Sequence, residues 1–581
     1  DMYAKCGFLS EAREMFDKLQ DRDAISWNTL IMAYQEEGCN KEASDCFKQM
    51  QSEGICPNST TYIARLKGSC NIGLISKGME MHAALAKELL VERELVGNAL
   101  IDMYAKCGLI SCAKEVFDTF SVRNVISWTA IIDGYCESGH AKEALVYYEK
   151  MQHEGISPNS GTFVCSLKAC ADIGAISKGI EMHSKVTSMG FLGDIVVNNA
   201  LIDMYAKCGY LMEAQDVHDK VCVQDVFSWT ALISGYANWG YAEEAIRGFE
   251  EMQARGLSPN AVTFICILKA YGSLVAVSKV EELYNEISRM GWVESDHRIG
   301  NALVGVFIKC GALGKAKEVF DRLSIRDVVS WTTLITGFVE NGLYEEALKC
   351  YEKMRVENVI PNVITFIFAL KACGSLGASY KGKYLHKEIA RLGLDKDVLV
   401  GSSLVDMYAK YGLLLKAEDV FNRLTVKDIF SWNALIGGYA QLGHCETVFL
   451  IFRNMIQQGV EPNLITFLNV LNACNHAGLL QEGQAYYEAM NNKHGLVPAL
   501  EHNICLIDLF SRAGQLDKAM AIVKKNSDNP SLIIWHTVLS ACNKWGNLEL
   551  AREVFEHLIE WNLSDSAAYV CMSNIYANAS I

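Results

Sequence analysis

The sequence predicts an all-α protein, a right-handed α-solenoid superhelix of stacked helix-turn-helix repeats. Three observations predict this class: a long internal repeat, helical spacing of the apolar residues within it, and glycine-containing turns at fixed positions. The repeat is carried by the string DMYAKCG and its variants, which begin 101 or 102 residues apart at Asp1, Asp102, Asp203, Gly305 and Asp406.

Composition and charge limit the classes of protein that this sequence can represent. Of its 581 residues, 50% are hydrophobic and 21% are charged, a globular mixture that excludes a wholly disordered chain. No apolar stretch is long enough to span a membrane. The 21 cysteines form no C-x-x-C pair and are interpreted as reduced thiols of an intracellular protein. The net charge of −15 argues, on bulk electrostatics alone, against a nucleic-acid partner.

Two further markers recur with the same period. The dipeptides Ser-Trp and Pro-Asn each appear once per block, so five of the seven prolines occupy one phase of the repeat. The tryptophans are Trp27, Trp128, Trp229, Trp331 and Trp432, and the prolines are Pro57, Pro158, Pro259, Pro361 and Pro462.

Each block divides into repeats of 31, 35 and 35 residues, and each repeat contains two amphipathic segments. In the repeat 125–159, Trp128, Ile131, Ile132 and Tyr135 are spaced i, i+3, i+4 and i+7, which is an apolar stripe of helical period. A second stripe follows a glycine turn, and a further glycine and Pro-Asn end it. Because such a hairpin cannot bury its apolar face alone, we expect neighbouring hairpins to stack.

These strings resemble the pentatricopeptide repeat family, in its plant organellar subclass of P, L and S repeats. SW[NT]-x-LI-x-GY marks the P repeats, TF-x-x-x-LKAC the L repeats and GNALIDMYAKCG the S repeats. The resemblance covers the chain and implies a truncated S repeat at 1–23, then P 24–58, L 59–93, S 94–124, P 125–159, L 160–194, S 195–225, P 226–260, L 261–296, S 297–327, P 328–362, L 363–397, S 398–428 and P 429–463.

The remaining residues resemble variant repeats and the C-terminal extension motifs of that family. A variant L repeat at 464–499 and a variant S repeat at 500–531 precede IIWHTVLSACNKWGNLELAREVFEHLIE, which resembles the first extension motif, at 532–565. The second motif begins with YVCMSNIYANAS and is truncated by position 581. The resemblance implies that these motifs recruit an editing deaminase or editing accessory proteins, and that the protein acts in the mitochondrion or chloroplast. A transit peptide would lie before Asp1.

Two polar positions per repeat are the candidate RNA-binding residues. The fifth residue of the P and S repeats is short and polar, with donors and acceptors that suit base edges on a single strand. The last residue of these repeats is Asn or Asp, for which helix capping is the alternative interpretation and both roles can coexist. The position-five residues are Asn28, Asn98, Thr129, Asn199, Thr230, Asn301, Thr332, Ser402 and Asn433, and the last residues are Asn58, Asn124, Asn159, Asp225, Asn260, Asp327, Asn362, Asp428 and Asn463.

The resemblance also implies a base code. Thr with Asn implies adenine, Asn with Asp uracil, Ser with Asp guanine, and Asn with Asn a pyrimidine. Read parallel to the chain, the predicted string is Y-N-Y-A-N-U-A-N-U-A-N-G-Y, in which Y is a pyrimidine and N stands for an L repeat. The L repeats carry apolar residues at position five and are expected to read no base, namely Ile63, Val164, Ile265 and Ile367.

Position two of each repeat would supply the apolar side chains that sandwich the bases, with core packing as the alternative interpretation. Arg298 departs from this pattern, so the assignment is weakest at that repeat. The position-two residues are Ile25, Leu95, Ile126, Val196, Phe227, Val329, Leu399 and Phe430.

Lysines recur in phase and are candidate phosphate contacts that answer part of the charge objection. A solvated charged face is the alternative interpretation of this ladder. The strongest candidates are Lys106, Lys207, Lys309 and Lys410, joined by Lys5 in the first S repeat and by Lys67, Lys168, Lys269 and Lys371 in the L repeats.

Catalytic signatures are not found in the sequence. Zinc deaminases need H-x-E with a later C-x-x-C, and the one H-x-E, His386 to Glu388, has no such partner. His82, His183 and His386 share a phase with Tyr284 and Tyr487, which indicates packing rather than a metal site. We therefore expect no metal, no cofactor, no small-molecule substrate and no enzymatic activity in this chain.

The predicted function is sequence-specific binding of single-stranded organellar RNA, as a site-recognition factor for C-to-U editing. Two alternatives remain open: a splicing or stability factor, and a tetratricopeptide-like scaffold for protein partners, which the acidic charge favours.

Overall fold

The computed structural model describes residues 2–19, 21–68, 75–87, 94–120, 123–221, 223–525, 532–561 and 565–578. Within these ranges every regular element is a helix, which confirms the prediction of an all-α solenoid. The helices fall into two compact units, Asp1–Ile287 and Ser288–Ile581, called here the N-terminal and C-terminal units. Across the described residues, no helix combines the length and apolar character that crossing a bilayer requires.

The N-terminal unit is a series of helical hairpins. The first helices of successive hairpins are Met2–Lys5, Ala24–Glu36, Ser59–Gly68, Glu94–Lys106, Val125–Glu137, Ser160–Ile173, Ile195–Lys207, Val226–Asn238 and Ala261–Ser273. The second helices are Leu9–Asp17, Asn40–Ser52, Ile75–Lys87, Ile110–Asp118, Ala141–His153, Ile176–Ser188, Leu211–Lys220, Ala242–Ala254 and Val277–Arg289, the last of which ends beyond the unit. A 3-10 turn occupies Phe191–Gly193.

The C-terminal unit continues the same alternation. Its first helices are His297–Lys309, Val328–Glu340, Val363–Leu376, Val398–Lys410, Ile429–Gln441, Leu464–Ala477, Leu500–Arg512, Leu532–Trp545 and Ser566–Asn578. Its second helices are Leu313–Arg322, Tyr344–Val356, Ser379–Arg391, Leu414–Arg423, Cys445–Gln457, Leu480–Asn492, Leu516–Lys525 and Leu548–Trp561. Short turns of helix lie at Trp292–Ser295 and Leu394–Lys396.

The first helices of neighbouring hairpins pack directly against one another. Val398–Lys410, for example, packs on Val363–Leu376 before it and on Ile429–Gln441 after it. The second helix Leu414–Arg423 packs on the first helix of its own hairpin, Val398–Lys410, and on the first helix of the next hairpin, Ile429–Gln441. Within each unit the first helices therefore form a continuous row, and the side chains on the exposed side of this row recur once per hairpin.

Aromatic rings lock each Ser-Trp hairpin onto the hairpin before it. Trp128 is only 1% exposed and meets the ring of Phe117 edge-on, with the ring centroids 4.9 Å apart. The contact recurs in every block with centroid distances from 4.4 to 4.9 Å, at Phe16–Trp27, His218–Trp229, Phe320–Trp331 and Phe421–Trp432. The repeated tryptophan is therefore a packing residue, which accounts for its fixed phase.

Glycine in the middle of P-repeat first helices permits a close approach to the preceding first helix of the row. A Cβ built on Gly235 would lie 2.7 Å from the Cβ of Ala206 on the preceding first helix. Equivalent clashes would arise at Gly134, Gly337 and Gly438, at 2.6, 2.5 and 2.6 Å from their nearest atoms. Since neither backbone can yield without separating the helices, these glycines set the spacing of the row.

We predict that Gly235→Ala lowers the stability of the protein by about 1–3 kcal/mol, because the added methyl overpacks the contact with Ala206. The matched control is Gly305→Ala on another first helix, where the nearest atom to the new Cβ is Thr333 Cγ2 at an ordinary 3.7 Å. That control is expected to gain about 0.5–1 kcal/mol from helix propensity. Urea unfolding followed by circular dichroism measures both; equal midpoints for the two variants would contradict the account.

Candidate nucleic-acid interface

The last residues of the P and S repeats are helix N-caps. Each lies directly before a first helix, and its side-chain oxygen accepts a hydrogen bond from the backbone N–H three residues on. At Asn159, Oδ1 accepts from Thr162 N at 2.8 Å and from Thr162 Oγ1 at 2.9 Å. The capping interpretation is therefore correct for these nine residues, and any contact with a ligand must use the atoms that capping leaves over.

The position-five side chains reach the cap of the following helix. Asn199 Nδ2 donates to Asp225 Oδ2 at 3.1 Å, and Ser402 Oγ donates to Asp428 Oδ1 at 2.8 Å. Direct bonds of 3.1–3.5 Å also join Asn28 to Asn58, Thr129 to Asn159, Thr230 to Asn260, Asn301 to Asp327 and Asn433 to Asn463. The structure thus brings together seven of the nine predicted pairs.

The other two pairs differ. Thr332 Oγ1 shares a 2.7 Å hydrogen bond with Thr365 Oγ1, the third residue of the next helix, instead of reaching Asn362. The buried amide of Asn98 has no hydrogen-bond partner in the described structure. At these two positions the packing of the first helices places the fifth residue, and a hydrogen bond to the cap is not required.

Most position-five side chains are more deeply placed than the sequence predicts. Thr230 and Thr332 are 8% and 7% exposed, and each hydroxyl also donates to the carbonyl of its own helix four residues back, at 2.6 Å. The close approach of adjacent first helices is the cause, because a short side chain at this position already spans the gap. Asn28, Asn98, Ser402 and Asn433 are likewise buried, whereas Thr129, Asn199 and Asn301 are half-buried.

At several of these caps one polar atom of the last residue makes no hydrogen bond within the described structure, and its character depends on the residue. At Asp225 and Asn260 the second polar atom instead bonds Asn199 and Thr230. Asn159, Asn362 and Asn463 use Oδ1 in the cap, and their Nδ2 donors make no hydrogen bond within the described structure. Asp327 and Asp428 also cap through Oδ1, which leaves Oδ2 as an acceptor. Asn therefore offers a donor at this point, whereas Asp offers an acceptor.

The carboxyl of Asp327 is held in its charged form. Burial opposes ionisation, but hydrogen bonds from Ser330 and Asn301 outweigh it, so the pKa of Asp327 lies below its usual value. At neutral pH this side chain therefore accepts hydrogen bonds and donates none.

The position-two side chains form an exposed apolar row, so the core-packing alternative is wrong for them. Phe227 and Phe430 are 70% and 63% exposed, although a core phenylalanine is normally covered. The remaining members are 52–71% exposed, namely Ile25, Leu95, Ile126, Val196, Val329 and Leu399. Arg298, which departs from the pattern, is exposed and pairs with Asp296 at 2.7 Å.

One groove of the C-terminal unit shows how these positions meet. It has a volume of about 490 Å³ and lies along four successive first helices, Val363–Leu376, Val398–Lys410, Ile429–Gln441 and Leu464–Ala477. Its lining includes Leu399, Phe430 and Ile465 from position two, Ser402 and Asn433 from position five, and the lysines Lys371 and Lys410. Apolar, polar and basic side chains of consecutive repeats thus share one open channel.

The lysine ladder is largely neutralised. Lys106, Lys207 and Lys410 each pair with the aspartate four residues earlier, at 2.7–2.9 Å. Lys309 makes no ion pair in the described structure, because Gly305 stands where the other copies have Asp. Of the L-repeat lysines, Lys168 binds Glu137 and Lys269 binds Asn238. Lys371 makes no ion pair with the described residues. The side chains of Lys67 and of Lys5, in the first S repeat, lie outside the described residues.

The histidines of the shared phase are packing residues, as the sequence indicates. Nδ1 of His82, His183 and His386 lies 2.8–2.9 Å from the hydroxyl of Tyr104, Tyr205 and Tyr408 on the next first helix. Glu388 of the H-x-E string binds Arg355 and Tyr351 instead of facing His386. Among the described residues no group of three potential metal ligands comes together.

One set of residues in this interface was missed by the sequence analysis. The third residue of each L-repeat first helix is a threonine that bonds the preceding cap, and in all five copies its hydroxyl also meets the position-five residue at 2.6–2.7 Å. These threonines are Thr61, Thr162, Thr263, Thr365 and Thr466; Thr61 and Thr466 meet an asparagine, and the middle three share a bond with a threonine. The spacing Asn-x-x-Thr, which is that of a capping box, was the available signal.

Comparisons with known proteins place this architecture. The model of the PPR repeat family matches residues 22–71, 123–172, 224–273, 326–375 and 427–476. The model of the single PPR repeat matches 1–23, 98–125, 199–225, 402–429, 505–525 and 533–563. Together these matches span more than half of the chain, which therefore belongs to the pentatricopeptide repeat family.

Relatives and solved structures agree. The Arabidopsis thaliana pentatricopeptide repeat-containing protein At4g33990 is 35% identical over 100% of this chain and 70% of its own length. A chloroplastic relative from the same plant, DOT4, is 35% identical over 100% of this chain and 66% of its own length. The crystal structure of PPR10 in complex with an 18-nt psaJ RNA element shares the fold, with a TM-score of 0.58 at 17% identity over 100% of this chain and 86% of that one.

The exposure of the position-two row makes a stability prediction with an internal control. Phe430→Ala should leave the unfolding midpoint unchanged, because the ring is mostly in solvent. Phe421→Ala should cost about 3–5 kcal/mol, since that ring is 5% exposed and packs on Trp432 with centroids 4.7 Å apart. Thermal melts of both variants measure the difference; comparable losses would place Phe430 in the core.

Proposed function

We propose that this protein binds single-stranded RNA sequence-specifically, as a member of the PLS subclass, with one base read at each P and S repeat and one unread nucleotide at each L repeat. The observation that carries the proposal is the polar atom left over at helix caps such as Asn159, Asn362 and Asp428, an amide donor where the residue is Asn and a carboxylate acceptor where it is Asp. Each lies in the row of first helices, where the same repeats present exposed apolar side chains and, in the groove around Ser402, lysines.

The leftover atom distinguishes bases by the ring nitrogen of the Watson–Crick edge. Uracil and guanine carry a hydrogen there, which a carboxylate oxygen such as Asp428 Oδ2 accepts. Adenine and cytosine carry a lone pair there, to which an amide such as Asn362 Nδ2 donates. The position-five residue acts on this choice by holding the cap in place and by limiting the space beside it.

The exposed position-two row supplies stacking. Successive side chains such as Leu399, Phe430 and Ile465 line one channel, and a base placed between two of them would cover both. Stacking of this kind accepts any base, so it adds affinity while the caps add selectivity. L repeats place half-buried Ile63, Val164, Ile265 and Ile367 at position five, which have no polar atom to contribute.

The net charge of −15 is compatible with this function only if the basic groups lie where the RNA runs. Of the described ladder lysines, Lys371, which lines the channel, Lys269, whose partner is the neutral Asn238, and the exposed Lys309 form no ion pair and keep a full charge to offer phosphates. Few unpaired lysines imply that affinity depends on stacking and base contacts more than on counterion release.

We further propose that the bound RNA is an organellar transcript and that the protein marks a site for C-to-U editing there. On this proposal the segment 532–581 acts as the extension motifs, which recruit the deaminase or editing accessory proteins. The mitochondrial and chloroplastic names of several relatives support an organellar location.

A scaffold for protein partners is the second candidate. The neutralised lysines favour it, as does an apolar groove between second helices where Tyr380 and Tyr384 are 85% and 54% exposed. Pulldown of partners that survive ribonuclease, with no RNA bound to the purified chain, would favour the scaffold over RNA binding.

Binding to synthetic RNA tests the proposal and its reading of the caps together. The wild-type protein should prefer the string Y-N-Y-A-N-U-A-N-U-A-N-G-Y over a scrambled RNA of equal composition. Asn362→Asp keeps a good N-cap but replaces the leftover donor with an acceptor. It should therefore change the preference at the third adenine of the string to guanine by about tenfold, the size of one base contact.

The matched control for this variant is Asn285→Asp, which adds the same charge at an exposed position of a second helix. It should leave every base preference as in the wild type. Fluorescence anisotropy with four RNAs that differ only at the third adenine measures the outcome. If Asn362→Asp continues to prefer adenine, the caps do not read the bases.

A further inference from the structure

The segment after the repeat array contains a polar pair that the base code does not include. His536 is the fifth residue of the helix Leu532–Trp545, and Asp565 directly precedes the helix Ser566–Asn578. The two side chains meet, with His536 Nε2 2.7 Å from Asp565 Oδ2. They therefore stand in the same relation as Asn199 and Asp225 in the array, although neither belongs to the P and S repeats identified from the sequence.

Asp565 is built like the last residues of the array. Its Oδ1 accepts the N–H groups of Ala567 and Ala568 at 3.1 and 3.2 Å, so it caps the following helix. Burial opposes its ionisation, but the hydrogen bonds from Ala568 and His536 outweigh it, and the pKa of Asp565 lies below its usual value. The group is thus a carboxylate that receives hydrogen bonds.

The carboxylate fixes the tautomer of the histidine. Because Asp565 Oδ2 can only accept, Nε2 of a neutral His536 carries the hydrogen, and Nδ1 presents a lone pair. Nδ1 has no partner in the described structure, and the side chain is 34% exposed. With the ring neutral, this pair offers acceptors and no donor to a ligand.

An open groove lies beside His536, which is the member of the pair that lines it. It has a volume of about 540 Å³ between the helices Leu500–Arg512 and Leu532–Trp545, and its lining includes His536, Ile533 and Lys544. Ile533, at position two of its helix, is 60% exposed, as the stacking residues of the array are. Stacking, base-edge and basic side chains therefore meet here as they do around Ser402, and the PPR repeat model matches 533–563 as well.

We propose that this groove binds one further nucleotide, with a base whose ring nitrogen carries a hydrogen, uracil or guanine. The proposal rests on the proposed RNA-binding function and on one nucleotide per repeat. The variant repeats 464–499 and 500–531 then separate this site from the last array base by two nucleotides. The base read by His536 and Asp565 is the third after the string, on its 3′ side.

The experiment extends the string RNA by three nucleotides and varies only the third. With the full chain, uracil or guanine there should bind about tenfold more tightly than adenine or cytosine, the size of one base contact. His536→Ala should abolish this preference while leaving the affinity for the unextended string unchanged. The histidine control is His153→Ala, at an exposed position of a second helix, which should keep the preference.

A second variant keeps the proposal testable if removal of the imidazole disturbs folding. His536→Asn recreates the Asn–Asp pair of the array and should then favour uracil over guanine. Equal affinity of the wild type for all four extended RNAs, with the string itself still bound, would overturn this site and leave the proposed function standing. Failure to bind the string at all would overturn both.

Discussion

The structure depends on one recurring interaction, the side-chain N-cap that joins each P or S repeat between 24 and 463 to the repeat after it. A single Asn or Asp side chain receives the N–H groups of the following first helix and, in most repeats, the polar side chain at position five of its own repeat. Helix starts would otherwise leave unsatisfied donors at every junction of the solenoid. The cap therefore satisfies these donors and, in seven of nine repeats, ties the position-five side chain of one hairpin to the start of the next first helix.

On the proposed function the same side chain serves both stability and recognition, because capping uses only one of its two polar atoms. The oxygen that caps is the same in Asn and Asp, so exchange between them costs the fold little, whereas the remaining atom changes from donor to acceptor. A family can thus vary the second atom from repeat to repeat without disturbing the junction. The threonine at the third position of the L-repeat first helices hydrogen-bonds both members of the pair, as Thr263 does with Thr230 and Asn260.

Much of the fold was available from the sequence, because the period, the Trp phase and the Gly turns repeat five times and average out local ambiguity. The spacing alone did not decide whether Phe430 is exposed, since an apolar residue near a helix start has the same spacing whether it faces the core or the channel. The depth of Thr230 was also missed, because it depends on how closely Gly235 lets two helices approach. The i, i+4 spacing of Asp406 and Lys410 is that of an ion pair on a helix. Only the geometry, however, shows that this pair neutralises a lysine of the ladder.

The central claim is that RNA lies along the exposed side of the first helices. Ultraviolet crosslinking of the matching RNA to the full chain, with the linked peptides identified by mass spectrometry, tests it most directly. The account predicts linked residues in the first helices, at position-two aromatic side chains such as Phe227 and Phe430. Crosslinks confined to second-helix residues such as Tyr380 and Tyr384 would contradict it.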